Sequence, residues 1–213
     1  MPSPLEILDG LTYIANTWIG IAVAWHIAIA VLLAALILGW RPAQRQLSLI
    51  LALPLVSVSV FAWLTQSPFN GALFTLGAVA LGTVGARLPG IPMQRASNPA
   101  ALIGLATVAF GWVYPHFLEG GSAVRYLYAA PTGLVPCPTL SVVVGFALLA
   151  GGLGSRAWSL MLAAIALFYG LFGTIRLGVY LDVGLVVGAT TLSVVGLQAG
   201  RVRQSGSGGA TSS

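Results

Sequence analysis

Pro131, Thr132, Gly133, Leu134, Val135, Pro136, Cys137, Pro138 and Thr139 are where residue type and spacing in this chain come nearest to chemistry. A proline inside a helix removes an N–H donor and clashes with the carbonyl four residues back, so Pro136 and Pro138 would free the carbonyls of Thr132 and Leu134. A helix must therefore break or start here. Between the two prolines lies Cys137, the only cysteine. Its thiol would be activated at a helix N-terminus and inert in apolar surroundings. Broken helices build solute and ion sites in transporters, and irregular backbone at membrane depth is tolerated only where it is buried in protein or lines a wet cavity. The alternative is a helix that starts at Pro138 near an interface, where proline is favoured, with Cys137 as a small apolar residue.

A second constellation comprises Tyr114, His116, Glu119, Arg125, Arg176, Tyr180 and Asp182. Ionisable groups at membrane depth are costly, so they pair or mark a pathway. Arg176 and Asp182, with no soluble loop around them, are expected to form a salt bridge between the last two spans or to belong to such a pathway. Glu119 and Arg125 read as solvated loop charges. His26 reads as a polar group bonded to a neighbouring helix, or as a proton relay. The candidate solute-binding set is Pro136, Cys137, Pro138, Thr139, Tyr114, His116, Arg176 and Asp182. No residue is assigned a catalytic role. An enzyme reading would make Cys137 a nucleophile with His116 as its base.

Several chemistries are set aside by composition. Two histidines and one cysteine are too few for a three-histidine metal site, a two-thiol redox motif or an internal disulfide. All nine basic residues are arginines, which excludes a lysine Schiff base. No metal and no cofactor are expected. The net charge of +5 comes from single arginines between apolar runs, so no nucleic-acid partner is inferred.

The elements that must position these residues are membrane helices. The sequence is 58% hydrophobic and 6% charged, against about a quarter charged in soluble domains, so a water-facing surface cannot be built from it. Long apolar runs, without the alternation of a membrane barrel, leave helices as the way to satisfy the backbone in lipid. The expected fold is an all-α polytopic transmembrane bundle of about seven spans, at residues 11–40, 47–64, 71–86, 100–115, 131–152, 157–175 and 177–197. These form one domain, 1–200, followed by a Gly/Ser/Thr-rich tail, 201–213, expected to be disordered and cytoplasmic. The third span only just approaches the hydrocarbon thickness. The first is too long for a signal peptide and lacks a basic region before it, so it is expected to be retained.

Arginine-bearing short loops stay in the cytoplasm. An outside N-terminus with a cytoplasmic C-terminus puts Arg41, Arg45, Arg87, Arg95, Arg156, Arg201 and Arg203 inside, with only Arg125 and Arg176 outside. The same threading places Glu6, Asp9, Glu119 and Asp182 on the outer side. Gly184 and Gly188 form a GxxxG pair that packs helices closely, within the chain or in a homo-oligomer or with another membrane partner.

Tyr114-Pro115, Ala130-Pro131, Gly133-Leu134, Pro136-Cys137-Pro138-Thr139, Gly145 and the run Asp182 to Val187 together resemble the bacterial integral-membrane family catalogued as domain of unknown function 6064. The likeness covers most of the chain, and its specific part is the Pro-Cys-Pro-Thr segment. After that motif the chain departs from the pattern, with Leu140, Ser141, Val142 and Val143 in place of a more Thr/Phe-rich stretch. The resemblance implies a multi-pass protein of the bacterial cytoplasmic membrane and carries no activity, catalytic residue or cofactor. The leading functional expectation is binding or passage of a small solute or ion near the broken fifth span. The rivals are a non-catalytic subunit packing on a membrane partner and a thiol-dependent enzyme.

Overall fold

The computed structural model describes residues 3–207, and every regular element among them is a helix. The first, α1 (Pro4–Thr17), opens with a capping box in which the Ser3 hydroxyl accepts from the Glu6 N–H and the Glu6 carboxylate accepts from the Ser3 N–H. The same bonds hold the Glu6 carboxyl below its usual range. The chain turns at Trp18 and α2 (Ile19–Ile37) follows, so the single helix expected over 11–40 is two. Asn16 supplies the reason. Its side chain donates to the Phe117 carbonyl at 2.8 Å and accepts from the Glu119 N–H at 3.0 Å. These bonds tie α1 to a distant loop instead of letting it continue along the α2 axis.

Next come α3 (Gln44–Leu64), which runs through Pro54, and α4 (Pro68–Ala86), which starts on a proline three residues earlier than expected. They are followed by α5 (Asn98–Val113), the short α6 (Tyr126–Ala129), α7 (Pro136–Leu149), α8 (Arg156–Leu171) and α9 (Val183–Ser207). Five segments are long and apolar enough to cross a membrane: α2, α3, α4, α8 with its terminal turn, and α9 with the turn before it. The apolar helices α5 and α7 have 16 and 14 residues. At about 1.5 Å per residue they reach roughly 24 and 21 Å, short of a hydrocarbon core of about 30 Å. Large apolar side chains such as Ile27, Val31, Leu76 and Leu102 face outward. Lipid is the solvent that suits such a surface.

At the centre stands α7, packed against α3, α5, α8 and α9, with every side chain from Pro136 to Leu148 buried except the half-buried Cys137. Helix α5 comes unusually close to it because glycines face each other. A Cβ on Gly104 would lie 2.9 Å from the Gly145 carbonyl, and one on Gly145 would lie 2.6 Å from the Gly104 carbonyl. Gly184 and Gly188 of α9 likewise face Phe110 and Thr107 of α5, so the GxxxG pair serves packing inside the chain.

Three further boundaries differ from the sequence expectation. The fifth stretch, expected as one span over 131–152, is a buried non-helical segment followed by α7, which ends at Leu149 before a turn with positive φ at Gly151, Gly152, Leu153 and Gly154. Between α8 and α9 lie a wide π-type turn (Phe172–Arg176), Gly178 at φ 72° and a tight turn (Tyr180–Asp182), so neither helix spans residues 172–182. Helix α9 continues through Ser207, beyond the residue-200 boundary; of the expected tail, 208–213 lie outside the described residues.

Candidate functional site

Pro136 is the first residue of α7, so the helix starts two residues before Pro138 and neither proline interrupts an existing one. The preceding backbone is buried yet satisfied. The Leu134 and Val135 N–H groups donate to the Pro131 carbonyl, and the Thr132 hydroxyl donates to the Gly111 carbonyl at 2.9 Å. Thr139 fastens the turn by accepting from the Gly133 N–H and donating to the Val135 carbonyl, both at 2.7 Å. Gly133 sits at φ 81°, with the Trp25 ring where a Cβ would be. This is irregular backbone enclosed in protein, the setting in which such backbone survives at membrane depth.

The start of α7 presents Cys137 to Asp182, which closes the tight turn immediately before α9. The Cys137 thiol donates to Oδ2 of Asp182 at 3.1 Å, and the Tyr114 hydroxyl donates to Oδ1 at 2.6 Å. Asp182 is 1% exposed, so an ionised carboxylate here depends on those two donors and on the N-terminus of α9 beside it. The π-type turn makes room for it. A Cβ on Gly173 would overlap the Asp182 carboxylate, so only glycine admits the side chain at that distance. Wide turns of this kind are common at functional sites.

A cavity of about 30 Å³ adjoins this group, lined by Pro136, Cys137, Asp182, Gly173, Asn70 and Tyr169 among others. That is room for about two waters. The Tyr169 hydroxyl donates to Oδ1 of Asn70 at 2.9 Å. A larger vestibule of about 280 Å³ lies between α1 and the α3–α4 turn, with Glu6 on its wall. Ile7, Leu11, Asn70 and Phe172 line both spaces.

The structure thus joins Tyr114, Pro136, Cys137 and Asp182, while Pro138 and Thr139 shape the backbone behind them. Two expectations fail. Arg176 is exposed at the end of the π-type turn and, among the described residues, forms no ion pair with Asp182, whose oxygens are taken by Tyr114 and Cys137. His116 packs edge-on against Phe117 at 4.3 Å, and among the described residues no hydrogen bond joins it to Cys137. Partial burial there lowers its pKa. His26 bridges the Ala22 and Trp112 carbonyls at 2.8 and 2.9 Å, a tie between α2 and α5. Arg125 donates to the backbone carbonyls of Glu119 and Gly120.

Sequence reasoning missed Asn70, Tyr169 and Gly173. Asn70, a lone carboxamide in the first turn of an apolar helix, was a usable signal. The π-type turn that makes Gly173 matter has none. No family model, curated protein or solved structure matches this chain.

Proposed function

We propose that the chain is a seven-pass protein of a bacterial cytoplasmic membrane, with its N-terminus outside, that binds a small solute or ion at Asp182 and Cys137. The arginine distribution supports the orientation, and the Pro-Cys-Pro-Thr segment supports kinship with the domain of unknown function 6064 family. The observation that carries the binding reading is a buried carboxylate facing a cavity that shares four lining residues with an outer vestibule. A buried carboxyl with spare acceptor capacity beside a largely apolar cavity is expensive unless it is used. The thiol-enzyme reading lacks the His116 base, because among the described residues no hydrogen bond joins His116 to Cys137.

Cys137 itself reports on the site, since there is no second cysteine. In sealed cells, a small membrane-impermeant thiol reagent added outside should label it slowly, because α1 covers the vestibule. Asn16→Ala removes the two ties to the 117–119 loop, worth roughly 1 kcal/mol together, and should speed labelling about fivefold. A Cys137 that reacts in neither protein until it is denatured would overturn the binding reading in favour of a packing subunit.

A further inference from the structure

Among the described residues, the charges along this route are all of one sign. Among the described residues lining the vestibule and the cavity, Glu6 and Asp182 are the only charged ones, and neither arginine nor histidine is among them. Around them stand aromatic rings and neutral oxygens: Phe69 and Phe172 in the vestibule, Phe117 and Tyr169 at the cavity, and Asn70 on both. Rings of this kind attract cations through their faces.

Asp182 receives one hydrogen bond on each oxygen, whereas a carboxylate offers about four acceptor positions. The carbonyl oxygen of Asn70 accepts from Tyr169 and keeps a second lone pair. Resting on the binding reading above, we propose that the ligand is a small monovalent cation of about ammonium or potassium size, drawn in past Glu6 and held against Asp182. It takes the place of the proton that would otherwise neutralise a carboxyl 1% exposed in a low-dielectric interior. An anion would meet two acids and, among the described lining residues, no cationic group. A divalent or transition metal lacks its ligands, since among the described residues no three His, Cys, Asp or Glu side chains gather. An organic amine exceeds the inner 30 Å³, so, like the thiol reagent, it enters only while α1 is displaced and is not held in the closed site.

The test is thermal unfolding of the purified protein in detergent at pH 8 and fixed ionic strength, exchanging choline chloride for potassium or ammonium chloride. One of the small cations should raise Tm saturably, by about 3–5 °C at tenfold its half-saturating concentration. Asp182→Asn should abolish the rise, and Glu6→Gln should increase the half-saturating concentration about threefold. If Asp182→Asn does not fold, Asn70→Leu, which is uncharged and lines both spaces, must abolish it instead. Equal Tm in all three salts, as expected for a site that takes only a proton, overturns the proposal. So does a rise that persists in both Asp182→Asn and Asn70→Leu. With Cys137 still labelled from outside, those results remove the cation and keep the site; an unreactive Cys137 removes both.

Discussion

The two ends of α7 are built on opposite rules. Its C-terminal half meets α5 through Gly104 and Gly145, backbone against backbone, with no polar side chain between them. Its N-terminal end meets α9 through a hydrogen-bonded carboxylate, thiol and phenol beside a cavity. One end excludes everything, and the other leaves a space and places a carboxyl at its edge. The same helix can do both because two prolines start it in a satisfied loop, while glycine at position 145 lets its body sink into α5. A chain selected only for packing would have little use for the polar arrangement.

The sharpest way to break this contrast is to spoil the dry end. Gly145→Val puts branched carbons where the Gly104 carbonyl and the Val108 backbone already stand. Backbone cannot yield as a side chain can, so the loss should be about 3 kcal/mol or more, seen as failure to purify as a monodisperse species. A well-behaved Gly145→Val protein with unchanged Tm would contradict the close approach of α5 and α7.

At the polar end the expected effect is smaller and conditional. Tyr114→Phe removes a donor to a carboxylate, which typically costs about 1.5–3 kcal/mol when the acceptor is charged. In an Asp182→Asn background the same change should cost about 1 kcal/mol or less. Equal losses in the two backgrounds would show that the phenol and the carboxylate are not coupled.

Smallest of all should be Arg176→Gln. The guanidinium is exposed and unpaired with Asp182, so its loss should stay within about 0.5 kcal/mol and add to that of Asp182→Asn. Rescue of either single variant by the other would restore the salt bridge that the sequence suggested.

That suggestion shows where legibility stops. Apolar runs marked where each long helix lies, and the proline pair marked where α7 begins, because solvent and backbone chemistry act locally. Sequence alone pairs Asp182 with the nearest opposite charge in the chain, Arg176. Gly178 and the π-type turn direct Arg176 outward, while Tyr114 and Cys137 arrive from 68 and 45 residues away. The division of α1 from α2 was equally hidden, since Asn16 is tied to a loop about a hundred positions distant. Local periodicity carries no record of such ties.

The enclosure of α7 also bears on how the protein is made. A helix with side chains buried on all faces, preceded by non-helical backbone and only 14 residues long, presents no stripe to the acyl chains as it leaves the insertion machinery. Of the N–H groups ahead of it, that of Gly133 depends on a side chain that follows it, and the Thr132 hydroxyl waits for the Gly111 carbonyl of a different helix. For a membrane-inserted chain, α7 is therefore a late passenger, retained near the translocon until α5 and α9 are present to enclose it. Defects at Gly104, Gly145 or Gly188 would accordingly be met first by quality-control proteolysis during synthesis.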